Sequence, residues 1–188
     1  MSSTEIPESK AFHVLYTDKR LAWLWLIIRV YMGYEWFFAG WAKVKNPAWV
    51  GANAGGAVKG FLSGALQKME GAHPDVSAAY GYFIQHVALP NAVIFSYLVA
   101  FGEVLVGIAL ILGLFTGVAA FFGAFMNVNY LFAGTISTNP VMLLLQLLLI
   151  LTWRTAGWVG LDRFVLPALG TPWQTGSLSK KKKAGRPL

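Results

Sequence analysis

Asn91–Leu114 reads NAVIFSYLVAFGEVLVGIALILGL, and its reading decides the fold. Only one side chain in it, Glu103, carries a formal charge. The apolar residues do not alternate with polar ones, so the run is not a half-buried strand. Its length suits a helix crossing the hydrocarbon core, which needs about 20 mostly apolar residues. A carboxyl near its middle costs roughly 2.5–3.5 kcal/mol in a bilayer unless it is paired or faces a wet cavity. Glu103 is therefore a candidate functional residue, and its partner has to be found elsewhere in the chain.

Working outward, three more apolar runs accompany this one. The pattern predicts an all-α integral membrane protein, an antiparallel four-helix transmembrane bundle with helices near 21–43, 90–113, 115–134 and 140–157. Short turns at Gly113–Gly117 and Gly134–Pro140 make successive helices antiparallel neighbours. Asn139 is expected to cap the fourth, with Pro140 at its first position. The first run is preceded by a polar stretch and shows no small-residue cleavage site, so it reads as an uncleaved span.

Composition agrees. Of 188 residues, 56% are hydrophobic and 12% charged, against about 25% charged in soluble domains. Mean hydropathy is +0.56. There is no cysteine, which excludes disulfides, thiolate metal sites and thiol redox chemistry. The histidines, His13, His73 and His86, lie outside the apolar runs, so no metal centre or paired-histidine haem is expected. The net charge of +7 owes much to one run, Lys180–Lys183, and reads as membrane topology rather than nucleic-acid binding. Ten Lys and Arg residues flank the two termini, and four, Lys43, Lys45, Lys59 and Lys68, stand at the edge of or within the long loop 44–89. That bias places both termini in the cytoplasm: a tail 1–20, a membrane domain 21–173 and a basic tail 174–188, with the loop outside.

Loop 44–89 carries its own pattern. Val58, Phe61, Leu62, Ala65, Leu66 and Met69 recur at helical spacing on a segment too short to span, which predicts a short interfacial helix. Gly71–Asp75 reads as a turn, with Asp75 capping a second short helix through Val87. The loop is either a lid over the outer mouth of the bundle or a plain interfacial connector.

The first helix holds Arg29, Gly33, Trp36, Gly40 and Lys43 on one face, with Glu35 about 120° away. Arg29 is the expected partner of Glu103. The pair is either a structural ion pair or the centre of a pocket for a ligand or protons. Asn127 and Tyr130 on the third helix, and Gln146 on the fourth, are expected to hydrogen-bond across the core. Trp36 either walls a slot for a planar ligand or packs in the core. No nucleophile elbow, phosphate loop, zinc spacing or dinucleotide fingerprint is present.

Several of these residues fall in a recognisable order: Arg29, then Ala39-Gly-Trp-Ala-Lys43, then Gly102-Glu103 with Gly107, Leu112-Gly113 and Thr116. Gly157, Gly160 and Asp162 complete it. The pattern resembles the DoxX family, including the DoxD-like small subunit of thiosulfate:quinone oxidoreductase, over about residues 20–173. The resemblance implies a four-helix bundle in a prokaryotic plasma membrane. In the DoxD-like case it implies electron transfer from a sulfur compound to a membrane quinone, with a second redox subunit. It points to Arg29, Lys43, Glu103 and Asp162 as site residues. The resulting expectation is a quinone- or lipid-binding subunit of a redox complex, not catalytic alone, contacting membrane lipids and open to homo-oligomerisation. A non-enzymatic scaffold or a small transporter are the competing readings.

Overall fold

The computed structural model describes residues 9–170, so the basic run at Lys180–Lys183 and most of the predicted carboxyl tail lie outside the described residues. The described residues are all-helical, with no strand. In chain order they form α1 (Lys10–Thr17), α2 (Ala22–Val44), α3 (Gly56–Gln67), α4 (Ala78–Phe83), α5 (Ala92–Leu112), α6 (Thr116–Phe132), α7 (Asn139–Leu151), α8 (Trp153–Ala156) and α9 (Asp162–Leu169). A 3₁₀ turn, Lys19–Leu21, leads into α2, and a π-helical turn, Ile84–Ala88, extends α4.

Helices α2, α5, α6 and α7 pack side by side. Gly33 lies against Ile111, and Gly40 against Val104, so α2 and α5 run antiparallel. A Cβ on Gly107 would sit 2.6 Å from the Cα of Phe37, and one on Gly40 would sit 2.6 Å from the Val104 nitrogen. Glycine is therefore required at both positions, and the two backbones touch. The α6–α7 pair is also antiparallel, with Gly117 beside Trp153 and Asn127 bonded to Gln146. Trp25, Met32, Trp36, Val106, Leu110, Ala120 and Leu149 fill the core between the four helices.

The outward faces are just as apolar. Ile27 on α2, Leu105 on α5, Phe125 on α6 and Leu144 on α7 are 58–69% exposed. Water would not tolerate so continuous a belt on a monomer. α5 is long and apolar enough to cross a membrane, with 21 residues and a mean hydropathy of 2.2. α6 and α7 are shorter apolar helices, and α2, at 23 residues, carries Arg29, Glu35 and Lys43.

Three local expectations are corrected. Asn139 does not cap α7; its side chain donates to the Thr135 carbonyl instead, while Pro140 does stand in the first turn. Ser77, not Asp75, caps α4, its hydroxyl accepting from the Tyr80 N–H. The fourth helix breaks at Thr152, whose hydroxyl and N–H both donate to the Leu148 carbonyl, a back-bond that bends helices. Within the predicted tail 1–20 the chain forms α1, which is tied to α2 by the Trp25 indole donating to the Leu15 carbonyl.

The segment between α2 and α5 folds against the bundle over a second apolar cluster that includes Val58, Leu62, Val76, Ile84 and Ala133. Polar staples hold it there. Ser96 donates to the Trp49 carbonyl, Tyr80 to Asn129, and Lys68 to the Gly134 carbonyl. Burial beneath this segment raises the pKa of Tyr80, keeping its phenol a donor.

Candidate functional site

Three polar centres lie at successive levels inside the bundle. The first is built on Glu103, which is 1% exposed. One carboxylate oxygen accepts from Lys43 Nζ at 2.6 Å and the other from the Tyr130 hydroxyl at 2.6 Å. Each oxygen thus has a short, charge-assisted bond, which offsets the cost of burying the carboxylate. Gly40 makes the arrangement possible, since a Cβ there would sit 2.8 Å from Glu103 Cβ. Lys43 stands in the last turn of α2, where a cation also meets the negative end of the helix dipole.

The Lys43 side chain retains 20% exposure, so this centre communicates with the end of the bundle under α3. Trp49 lies 5.2 Å from its ammonium, and Phe61 of α3 meets the Tyr130 ring edge-on at 6.0 Å. Two rings from the 44–89 segment thus cover the centre.

The second centre, in the middle, joins Asn127 and Gln146, with the Asn127 amide donating to Gln146 Oε1 at 2.7 Å. Both are fully buried. The Trp36 indole N–H, Gln146 Nε2 and Asn127 Oδ1 have no hydrogen-bond partner among the described residues. Gly123 makes room here, since a Cβ would lie 3.0 Å from Trp36 Nε1.

The third centre is built on Arg29, 1% exposed, and it does not pair with Glu103. Its guanidinium donates to the carbonyls of Ala156 and Val159, both at 2.7 Å. The reason is register. Gly40 of α2 stands opposite Glu103, and Arg29 lies 11 residues earlier. At about 1.5 Å per residue that is roughly 16 Å along the axis. Lys43 stands within reach and takes the role.

Gly113 and Gly160 pack on the guanidinium; a Cβ on Gly160 would sit 2.7 Å from an Arg29 terminal nitrogen. Asp162 lies close enough to act on Arg29 electrostatically. Its own carboxylate accepts from the Phe115 N–H at 2.6 Å and the Thr116 N–H at 2.9 Å. It thereby satisfies free donors at the start of α6 from a distant part of the chain. Phe115 sits at φ +49°, a left-handed conformation costing about 1–3 kcal/mol, and the Asp162 bond holds it there.

The expected residues therefore divide. Glu103, Lys43 and Tyr130 come together at one level, Trp36, Asn127 and Gln146 at the next, and Arg29 and Asp162 at the last. Glu35 joins none of them; it is half-buried on the side of α2 and makes no hydrogen bond or ion pair among the described residues. Trp36 is 2% exposed and packs in the core. Sequence reading missed Phe61 and Trp49 as covering groups. It also missed Gly113 and Gly160 as the floor under Arg29, although glycines flanking a buried charge are a readable signal.

Among the described residues, no group of three or more His, Asp or Glu side chains is arranged to hold a metal ion. The family model DoxX matches residues 24–135, more than half of the chain. That stretch contains the whole Glu103 centre and ends before Gln146 and Asp162. No curated protein and no solved structure matches the chain significantly.

Proposed function

The chain belongs to the DoxX family and is a membrane protein; from that premise we propose that α2, α5, α6 and α7 all span the membrane and that the Glu103 centre binds a quinone headgroup for a membrane redox complex. The exposed apolar belt on every one of the four helices supports the spanning arrangement. The Lys and Arg bias orients it with the termini in the cytoplasm of a prokaryote, so that the Glu103 centre faces outward under the 44–89 lid.

One observation carries the ligand reading: among the described residues, the buried carboxylate is held by exchangeable side-chain donors, Lys43 and Tyr130. A quinone needs an apolar slot, a donor at each carbonyl oxygen and a group that passes protons. Lys43 and Tyr130 are such donors, Glu103 is such a group, and Phe61 and Trp49 are the aromatic rings beside them against which a quinone ring would pack. With no cysteine and no metal-binding cluster among the described residues, the electron donor would belong to a second subunit. The Trp49 ring beside Lys43 supplies the assay. A soluble short-chain quinone should quench tryptophan fluorescence saturably in the wild type. Glu103→Gln, still folded, should weaken that binding about tenfold or more, as expected for losing one charge-assisted contact. Unchanged binding would end the reading.

A scaffold or assembly role is favoured by a different observation. Arg29 and Asp162 are engaged by backbone groups, which suits a rigid frame rather than a reacting site.

A further inference from the structure

The Arg29 end of the bundle carries two adjoining features that the quinone reading leaves unused. The first is a groove of about 530 Å³ between α6, the α7–α8 junction and α9. Phe115, Thr116, Phe121, Trp153, Leu166 and Leu169 line it, and its walls are almost wholly apolar. Its volume falls in the range of about 300–1,000 Å³ typical of small-molecule sites. Thr116 is the polar exception. It is fully buried, and its hydroxyl has no hydrogen-bond partner among the described residues.

The second feature is a cup of about 230 Å³ lined by Thr17, Lys19, Arg154, Thr155 and Trp158. Lys19 Nζ lies 4.0 Å from the Trp158 ring centre, and the Arg163 guanidinium lies 5.2 Å from the same ring. The Arg154 guanidinium lies 5.8 Å from the Trp153 ring. Among the described residues the ion pairs are Arg20 with Asp18 and Lys43 with Glu103, so these three cations have no carboxylate partner. Trp153 and Arg154 are consecutive, one lining the groove and the other the cup. A chain-sized apolar slot and a cationic cup therefore share a rim.

A ligand complementary to both needs an apolar tail and an anionic head on one molecule. We propose that this end of the protein holds one anionic phospholipid, with an acyl chain in the groove and its phosphate in the cup between Lys19 and Arg154. Basic pockets between membrane helices suit such headgroups, and aromatic residues at this depth suit the interface. A zwitterionic lipid would bring a second cation into a cup that already has unpaired ones, so the site should discriminate between the two. The proposal uses no residue of the Glu103 centre and stands apart from the quinone reading.

The test is native mass spectrometry of the full chain, delipidated in detergent and titrated with phosphatidylglycerol or phosphatidylcholine. The background variant replaces Lys180 to Lys183 by serine, removing unspecific attraction to that run. A phosphatidylglycerol adduct that survives in this background, and exceeds the phosphatidylcholine adduct, is the expected result. Lys19→Ala with Arg154→Ala should weaken it roughly thirtyfold, about fivefold for each charge removed near the surface. Val118→Trp, at an exposed position on the groove rim, should fill the slot and remove the adduct while leaving the melting temperature in place. Equal binding of both lipids would overturn the proposal. So would an adduct indifferent to the cation variant, or to Val118→Trp. Binding of glycerol phosphate as tight as the lipid would also overturn it, because the groove would then take no part.

Discussion

The Glu103 end and the Arg29 end of the bundle each bury a charge to about the same depth from solvent, yet they settle it in opposite ways. Arg29 is held by backbone carbonyls from the α8–α9 region, with glycines pressed against it. Glu103 is held by two side chains, one of which keeps partial contact with the exterior. A backbone carbonyl has no proton to exchange, and it cannot leave its place without moving the chain. An ammonium and a phenol can do both. On the proposed reading, depth alone does not mark a working site; the kind of partner does.

The sharpest way to break this contrast is Arg29→Met. Two buried carbonyls would lose their donors and the glycine-lined space would be left ill-filled, so the cost should be about 3–5 kcal/mol. Loss of the folded species in a detergent or SDS unfolding titration would show it. A mild effect there would mean that the Arg29 end is as adaptable as the other.

Next in size is Gly107→Ala. It pushes α5 off the Phe37 backbone at the contact that sets the α2–α5 register, and overpacking of this kind costs about 1–3 kcal/mol. Because that register also delivers Lys43 to Glu103, quinone quenching should weaken with it. A variant that loses stability but binds normally would separate register from site.

Glu103→Gln should cost less, about 1–2 kcal/mol, because the amide oxygen can still accept from one donor while Lys43 turns toward its exposed side. Its effect on ligand binding should be larger than its effect on the unfolding midpoint, the reverse of Arg29→Met. Tyr130→Phe comes last, at about 1.5 kcal/mol, the low end for one hydrogen bond to a charged group. It leaves the Lys43 bond intact, so a loss of binding with near-normal stability would assign the phenol directly to the ligand.

Much of this was legible in the chain, but not the pairing. Glu103 stood out because a lone carboxylate in an apolar run has few innocent explanations. Asn127, Tyr130 and Gln146 were legible as inward polar residues from helical spacing alone. The partner of Glu103 was not, because it depends on how far α2 slides along α5. Gly33, Gly40 and Gly107 decide that slide, and a glycine shows in sequence only that a close approach is allowed, not against what. The break at Thr152 was hidden for a similar reason. A threonine in a leucine-rich run looks helical until its hydroxyl is seen to bond four residues back. The helix over Lys10–Thr17 was missed because eight residues are too few to make a convincing period.

The two carbonyls that hold Arg29 also impose an order of events on synthesis. They lie 127 and 130 residues downstream of the arginine they satisfy. At about 5–20 residues per second the wait is roughly 6–26 s. On the proposed membrane arrangement, the first helix spends that interval with a buried charge unanswered and stays loosely committed until the last segment arrives. Chains stopped short of Ala156 should be recognised as incomplete and removed, so the far end of the polypeptide acts as the latch on its beginning.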